Sequence, residues 1–217
     1  MANNSPPLFS TAYLPPLEYM AFIVHTGRAT IELHESYPKQ TWRNRCRIIT
    51  ANGLHDLSIP VQMINGNNTK TKDIVTSRHQ NWQIKHWRAI KSAYAKSAFF
   101  IYYKDLFEEF FLKPYCGLLW KFNQNIMEAL FEEMNIRAYF TTTKSFIKPG
   151  DYNPDLRFSI TPKQSGQGGE IFREWREYQQ VFSERHGFVP NLSILDLIFN
   201  MGPETGGYLK ELNGHSN

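Results

Sequence analysis

The chain has few cysteines and no long hydrophobic run. Its 217 residues include only Cys46 and Cys116, with no C-x-x-C pair and no histidine cluster at zinc spacing. We therefore predict no metal site, and two isolated thiols are typical of a reducing cytoplasm. The longest early apolar run, residues 21–24, is far shorter than the ~20 residues that cross a bilayer, and no basic leader precedes it. We expect a cytoplasmic protein without a membrane span.

Common catalytic signatures are also missing. The sequence has no G-x-S-x-G nucleophile elbow, no P-loop and no H-E-x-x-H zinc motif. Gly166, Gly168 and Gly169 follow no predicted strand, so they do not form a dinucleotide-binding loop. None of the enzyme classes that these motifs define is indicated, and we predict no bound cofactor.

The charge is mildly basic, with a net +4 and no run of five basic residues. The densest basic stretch, residues 70–104, lies on predicted helices, where a solvated face is the usual explanation. This is weak support for nucleic acid, whose binding would show a steep salt dependence. The charge balance fits an anionic small-molecule substrate better, and the sequence does not indicate an oligomeric state.

The first part of the chain reads as alternating strands and helices. A double proline between a strand and a helix, a glycine after that helix, and an Asn-Gly pair between two strand-like runs mark the boundaries. We predict strands at 8–14 and 29–33, a helix at 17–25 between them, and hairpin strands at 45–50 and 54–61. The strand–helix–strand unit predicts a parallel crossover.

The second half is mostly helical by its hydrophobic spacing. We predict helices at 81–96, 100–111 and 118–134, a β-like segment at 136–141, and a long loop at 149–169. The expected fold is α/β, with a small, mostly parallel sheet, an attached β-hairpin and a helical second half. We predict one domain over residues 1–217, with loose ends at 1–7 and 213–217.

Two predicted strand ends carry polar residues. In open α/β sheets ligands bind beyond the carboxyl ends of the strands, and a helix that starts there offers free N–H groups to an anion. Tyr13 lies at the end of the first strand and Pro15 follows it, although Tyr13 could pack inside while Pro15 only starts the helix. His34 and Glu35 follow the second strand and could transfer a proton, or could form a plain polar loop.

Arginines alternate in the segment W-R-N-R-C-R-I at residues 42–48. In a strand, Arg43, Arg45 and Arg47 would share one face, where they repel unless anions or carboxylates lie among them. In a loop, Arg43 would separate from the other two. A guanidinium fork binds phosphate or carboxylate with two hydrogen bonds, so Arg45, with Arg43 or Arg47, is the predicted anion contact.

Other candidates have both a structural and a functional interpretation. His86 follows Trp82 by one helical turn, a placement more typical of a core histidine than of a site. Ser193 and Asp196 fit a capping box at a helix start, which would explain both without a function. The predicted substrate-binding residues near the C-terminus are Tyr178 and Gln180.

Three ordered blocks together resemble the WbqC-like family of bacteria. They are S-T-A-Y-L-P-P-L-E-Y at 10–19, a stretch with W-R-N-R-C-R-I, A-N-G and L-S-I-P-V within 37–61, and G-F-V-P-N-L-S-I-L-D-L-I-F-N-M-G-P-E at 187–204. The family pattern of Trp, any residue, Asn, Arg and a later Ile is met at Trp42, Asn44, Arg45 and Ile48. The resemblance therefore implies substrate contacts for Trp42 and Asn44 beside Arg45.

The chain also departs from the family pattern. Many members place His or Gln before the Leu-Pro pair, where this sequence has Thr11 and Ala12. Relatives often carry an Asp pair where this sequence has His34 and Glu35, so an acidic role there can rest only on Glu35. Functional roles that depend on the family's His or Gln, or on its Asp pair, are therefore not predicted for this chain.

The resemblance implies a setting in O-antigen and other surface-polysaccharide synthesis. We hypothesise a cytoplasmic transferase-like enzyme that acts on an anionic activated small molecule, such as a nucleotide-linked sugar. The alternative is a non-catalytic binding or accessory protein of a glycan pathway. Because parallel strands end at one edge, we also expect Tyr13 and His34 to open into one cleft with Arg45 in its wall.

Overall fold

A three-stranded parallel sheet organises the chain. We describe it from a computed structural model that covers residues 5–77, 81–162, 172 and 174–212. The strands are β1 (Leu8–Ser10), β2 (Arg28–Glu32), β3 (Arg45–Thr50), β4 (Gly53–Ser58), β5 (Val61–Gln62), β6 (Val75–Thr76) and β7 (Tyr139–Thr142). The helices are α1 (Leu17–Thr26), α2 (Trp82–Tyr94), α3 (Phe100–Leu112), α4 (Leu119–Glu133), α5 (Ser183–His186), α6 (Ile194–Met201) and α7 (Thr205–Glu211).

The strand order of the sheet is β1-β2-β7, and both neighbouring pairs run parallel. β1 and β2 are joined through α1, so the predicted crossover is confirmed. β7 overlaps the segment predicted as β-like and ends one residue beyond it. The outer edge of β1 bonds to a later loop, because Leu8 N donates to Pro154 O and Leu156 N donates to Leu8 O, at 2.9 Å each. With the separate hairpin and the helical second half, the predicted fold class is confirmed.

β1 ends at Ser10, four residues before the predicted end, because the chain then turns away. Leu14 adopts φ of 42°, a left-handed conformation that leucine rarely takes. Tyr13 N donates to Trp42 O at 2.8 Å, which ties the turn to the loop before β3. The double proline starts α1 as predicted, and Pro16 occupies its N-cap position. The residues after Ser10 therefore run into the interior rather than along the sheet.

β3 and β4 form the predicted hairpin around Asn52 and Gly53. Gly53 has φ of 103°, which explains the glycine at this turn. Cys46 faces the core and is buried, while Arg45 and Arg47 lie on the opposite face and are partly exposed. β3 begins at Arg45, so Arg43 is outside the strand and separates from the other two arginines, as the loop alternative stated.

The segment before α6 bonds to the turn before α1. Three backbone hydrogen bonds make the junction: Leu17 N to Leu192 O (3.1 Å), Ile194 N to Pro15 O (2.9 Å) and Ser193 N to Arg47 O (2.9 Å). The three sequence blocks that carry the family resemblance therefore meet in space. Pro15, a predicted substrate contact, has its carbonyl committed to this junction.

Ser193 caps α6, as the capping interpretation predicted. Its Oγ accepts from Leu195 N at 3.3 Å and donates to Leu14 O at 2.8 Å. We expect Ser193→Ala to lower the free energy of unfolding by ~1–2 kcal/mol, the usual cost of a lost cap. Urea unfolding measures it, and ligand affinity should not change. A large loss of affinity at unchanged stability would place Ser193 in the binding site instead.

Aromatic side chains fill the core of the helical half. Trp87 of α2 stacks on Phe100 and Phe111 of α3, with ring centroids 6.0 Å apart in both pairs. Phe199 of α6 packs on Phe100 and on Phe107, with ring centroids 5.1 Å apart in each pair. The predicted apolar stripe of α4 is buried at four of its five positions, with the fifth half-buried: Leu119, Phe122, Ile126, Leu130 and Met134.

The N-terminal end is better held than the sequence indicated. Pro7 is buried, and Tyr152 Oη donates to Pro6 O at 2.8 Å, so residues 5–7 are not loose. Residues 1–4 and 213–217, and Gly166, Gly168 and Gly169 of the predicted long loop, lie outside the described residues. Within the described ranges, none of the helices has both the length and the apolar character needed to cross a membrane.

Candidate functional site

Buried charged residues meet at the carboxyl edge of the sheet. Glu32 is the last residue of β2 and has no exposed surface. Its Oε1 accepts from Thr143 Oγ1 at 3.0 Å and from His34 N at 2.6 Å. Its Oε2 accepts from Ile147 N at 3.0 Å and lies 3.5 Å from Arg157 Nη1. A buried carboxylate needs such donors, and here they come from three separate segments.

Arg157 is the cation of this cluster and its side chain is fully buried. Its Nε and Nη2 donate to the two carboxylate oxygens of Asp155 at 2.9 and 2.6 Å, and its Nη1 donates to Ile147 O at 2.9 Å. The hydrogen bonds to Asp155 raise the pKa of Arg157, so it stays charged. The guanidinium is thereby fixed in one orientation.

Glu35 and Arg43 form a second buried ion pair beside the first. Arg43 Nε and Nη2 donate to Glu35 Oε1 at 3.0 and 2.5 Å, and Nη2 also donates to Ser10 Oγ at the end of β1. Nη1 of Arg43 donates to no residue that the structure describes, and Oε2 of Glu35 accepts from none. Each partner thus has one polar end without a hydrogen bond to the described part of the chain.

A narrow cavity, here called the sheet-edge cleft, is lined by the two arginines of these ion pairs. Its lining includes Ser10, Thr11, Trp42, Arg43, Arg157 and Thr161, and its volume is about 20 Å³. That is room for one or two water molecules. A cleft at the carboxyl ends of parallel strands is where α/β proteins bind ligands. Its walls carry two guanidinium groups.

Two exposed phenylalanines, Phe146 and Phe158, here called the aromatic rim, pack against Arg157. The Arg157 Cζ atom lies 6.0 Å from the ring centroid of Phe146 and 5.2 Å from that of Phe158. The rings are 49% and 54% exposed, although the guanidinium between them and the cleft is buried. The charged cluster therefore has an apolar outer surface.

Tyr13 lies in the core rather than at the cleft. Its hydroxyl is 2.9 Å from His86 Nδ1, and its ring packs near those of Trp82 and Phe122. Burial raises the pKa of Tyr13 well above its ordinary value and lowers the pKa of His86 to about 4. The packing alternative holds for Tyr13, and Trp82 and His86 form the core contact that their spacing indicated.

Arg45 and Arg47 bind a carboxylate of their own hairpin. Arg47 Nε and Nη2 donate to Asp56 at 2.8 and 3.2 Å, and Arg45 Nη1 donates to Asp56 Oδ2 at 3.3 Å. Arg47 also lies over the Trp42 ring, 5.4 Å from its centroid. Asp56 thus offsets the repulsion that alternating arginines create. Asn44 donates to Ile59 O at 2.8 Å and so fixes the end of the hairpin.

Tyr178 and Gln180 surround a buried carboxyl on α6. Tyr178 Oη and Gln180 Nε2 donate to Asp196 Oδ2 at 2.6 and 2.8 Å. The Gln180 amide also bonds to both backbone groups of Val189, at 2.9 Å each. Burial raises the pKa of Asp196 to about 6, although these two hydrogen bonds lower it in part. The two predicted substrate contacts are therefore engaged within the fold.

The expectation of one cleft shared by Tyr13, His34 and Arg45 is wrong. β1 stops at Ser10, so Tyr13 is carried inside, and Arg45 points to the outer face of the hairpin. The strand ends do meet, but Arg43 lies in the wall in place of Arg45. Glu35 is at the predicted place and His34 bonds to Glu32 through its backbone.

The sequence did not single out the three other charged residues of the cluster. Glu32 carried one usable signal, since a carboxylate at the carboxyl end of a buried strand is unusual. Asp155 and Arg157 lie within a polar loop with no periodic pattern, and Arg157 contacts Glu32 across 125 residues of sequence. No local sequence pattern indicates the ion pair between Arg157 and Glu32.

A second, open cleft of about 510 Å³ lies at the start of α2. Ser77, Trp82, Gln83, Tyr115 and Cys116 are among its lining residues. The Gln83 amide is engaged with the segment at the end of α3: its Nε2 donates to the carbonyls of Phe110 and Lys113, and its Oε1 accepts from Tyr115 N. This cleft lies apart from the charged cluster and holds none of its residues.

The fold and the site define a mixed α/β protein whose charged, buried residues gather at the carboxyl edge of a small parallel sheet. The chain belongs to the WbqC-like protein family, whose model matches residues 11–167 and 170–208. The resemblance stated from the three sequence blocks is thus confirmed. Residues 10–61 and 187–204, which carry it, meet around the turn before α1.

Among known proteins, the chain is similar to Rv1507c of Mycobacterium tuberculosis, which is itself named as uncharacterised. The two are 26% identical over 221 residues, which span 91% of this chain and 94% of that protein. No solved structure matches the chain.

Proposed function

We propose that the protein is a cytoplasmic transferase-like enzyme of surface-glycan synthesis, of the O-antigen type, that binds an anionic activated small molecule at the mouth of the sheet-edge cleft. A nucleotide-linked sugar is the substrate we favour. The observation that carries the proposal is the open Nη1 end of Arg43 in that cleft. The glycan setting comes from the family resemblance.

Arg43 is the anion contact in this proposal, in the place first given to Arg45. Its Nε and Nη2 are committed to Glu35 and Ser10, which fix the plane of the guanidinium. Nη1 then presents two N–H groups in a fixed direction, at little entropic cost on binding. A phosphate oxygen that enters the cleft meets a preorganised donor.

Glu35 is the residue we assign to proton transfer. Arg43 holds Oε1, so the carboxylate cannot rotate freely, while Oε2 takes no hydrogen bond from the described part of the chain. A general base needs such a free oxygen within reach of the proton that it removes. Next to it, His34 is only half-buried and remains the second candidate.

Binding of uridine diphosphate sugars should depend on Arg43 and not on Arg45. We expect Arg43→Lys to weaken binding at least tenfold, because lysine keeps the charge but loses the fork. Arg45→Ala is the matched control and should leave affinity within about twofold, since Arg45 bonds only within its hairpin. Calorimetric titration measures both, and a thermal melt checks the fold. The reverse order of effects would return the anion contact to Arg45.

The alternative is a non-catalytic accessory protein that holds the same ligand. It is favoured by the ion pair that occupies Glu35. Turnover separates the two functions. The enzyme is supported if the wild-type protein releases nucleoside diphosphate from a bound sugar donor. The Glu35→Gln variant should then bind the donor with the same affinity but release no nucleoside diphosphate. Binding without turnover across a panel of acceptors supports the accessory protein.

A further inference from the structure

The parallel sheet keeps one edge that the described part of the chain does not cover. The outer edge of β1 is bonded to a later loop, whereas β7, at the opposite edge, pairs with β2 alone. Tyr139 N donates to Gly27 O at 2.9 Å, and Thr143 N donates to Ile31 O at 3.0 Å. Every second residue of β7 therefore directs its backbone groups to β2, and the residues between them direct theirs to the open side.

Phe140 and Thr142 are the residues of β7 whose N–H and C=O groups face the open side. Neither forms a backbone hydrogen bond there with any residue that the structure describes. Thr142 is exposed and Phe140 is half-buried. Such an edge is a template for another strand, and proteins often protect it with a proline, a bulge or an inward charge. The sequence Y-F-T-T of β7 has no proline and no charge and consists of good strand formers.

A groove of about 270 Å³ lies beside the open edge, between α4 and the amino end of β7. Its floor includes Phe131 and Phe140, whose ring centroids are 5.6 Å apart. Its charged lining residues are Glu128 and Glu132 from α4, and Arg137. A strand added to β7 would therefore meet apolar surface beside its backbone and two carboxylates near one end.

The charges at the two ends of β7 match when two copies of the strand run antiparallel. Lys144 follows the carboxyl end of the strand, whereas Glu132 lies in the groove at the amino end. Both are exposed, and neither has an ion-pair partner among the described residues. In an antiparallel pair with a two-fold axis, the carboxyl end of each strand lies beside the amino end of the other. Lys144 of each copy then lies on the side of Glu132 of the other.

We propose that β7 pairs antiparallel with β7 of a second copy of this chain, which joins two three-stranded sheets into one six-stranded sheet. Phe140 and Thr142 exchange backbone hydrogen bonds across the two-fold axis, and Lys144 and Glu132 select the antiparallel direction. The residues that line the groove do not line the sheet-edge cleft. The dimer is therefore independent of the proposed function.

The backbone part of the interface is tested by a proline at the open edge. Sedimentation equilibrium of the full chain, from about 1 to 100 µM, should show a wild-type dimer. Thr142→Pro removes an N–H that points away from β2, so a thermal melt should show a folded protein. Its dimer dissociation constant should rise at least about tenfold. Thr142→Ala is the matched control, because alanine keeps the N–H, and it should dimerise like the wild type.

The choice of partner is tested by exchanging the two charges. Lys144→Glu should raise the dimer dissociation constant at least about threefold, because two exposed pairs become repulsive. The double variant Lys144→Glu/Glu132→Lys should restore the wild-type value, and this test needs no proline. A wild type that stays monomeric at ~100 µM overturns the proposal. A folded Thr142→Pro that dimerises like the wild type, or a charge exchange that restores nothing, also overturns it.

Discussion

Removing residues 187–217 should abolish cooperative folding. The deleted stretch contains α6 and α7, which supply the centre of the core rather than a cover for it. Five apolar side chains of α6 have no exposed surface at all: Ile194, Leu195, Leu197, Ile198 and Phe199. Leu192, Tyr208, Leu209 and Leu212 add four more that are at most 3% exposed.

The size of this loss exceeds what the rest of the fold can offset. Burying one such side chain contributes ~1.5–3 kcal/mol, so nine of them contribute roughly 14–27 kcal/mol. A domain of this size has a net stability of only ~5–15 kcal/mol. The deletion also removes the acceptor of Leu17 N and the donor to Pro15 O, at the start of α1. The truncated chain is therefore left without a stable core.

A thermal melt followed by near-ultraviolet circular dichroism checks this result. A chain that ends at Leu212 is the matched control, because it keeps all of α6 and α7. We expect a sharp transition for the control and none for the truncated chain. If the truncated chain melts cooperatively, the C-terminal segment is a lid or an arm between subunits, and the core lies elsewhere.

Local signals in the sequence predicted the fold well. The double proline before α1, the helix-ending Gly27 and the Asn52-Gly53 turn each act through the backbone of their own few residues. Such rules need no knowledge of distant contacts. The parallel crossover and the hairpin followed from them, and both are confirmed.

The site was harder to predict because it depends on where β1 ends. The left-handed Leu14 turns the chain inward, and nothing marks it in the sequence, since leucine is a poor residue for that conformation. The end of β1 was predicted four residues too late, so Tyr13 was expected in the cleft although it lies in the core. In the same way, the residue at which β3 starts determines whether Arg43 or Arg45 lies in the cleft wall. Alternation alone could not locate that start.

Contacts between distant residues explain the remaining failures. Arg157 reaches Glu32 across 125 residues, and the Asp196 carboxyl is held by Tyr178 and Gln180 from an irregular segment. Each of these groups looks like an ordinary loop residue by its neighbours in sequence. Only the folded chain shows that these groups form hydrogen bonds and ion pairs with one another.

The second large effect concerns the pH dependence of stability. Burial raises the pKa of Asp196 to about 6 in the folded protein, against about 3.9 in the unfolded chain. At pH values between these two pKa values, the Asp196 carboxyl is therefore protonated in the folded state and ionised in the unfolded state. This contribution to stability is present below pH ~4 and is lost as the pH rises to about 6. Two pKa units correspond to ~3 kcal/mol.

His86 acts in the opposite direction over nearly the same range. Its pKa falls to about 4 on folding, mainly through burial, from about 6.5 in the unfolded chain. Its contribution is present above pH ~6.5 and is lost as the pH falls towards 4. The Tyr13 hydroxyl and the carbonyl of Ser58 face the ring, and the charge of His55 lowers the pKa of His86 further. The two buried groups therefore offset each other in the wild-type protein.

Single variants should separate the two contributions. The free energy of unfolding of Asp196→Asn, minus that of the wild type, should rise by ~3 kcal/mol between pH 4 and pH 7. Asparagine keeps an oxygen for Tyr178 and Gln180 but cannot ionise, so the cost of charging is removed. His86→Gln is the matched control, and its difference curve should fall by a similar amount. Urea unfolding at a series of pH values gives both curves. A flat curve for Asp196→Asn would mean that the carboxyl titrates alike in both states, and that Asp196 is solvated through an opening in the fold.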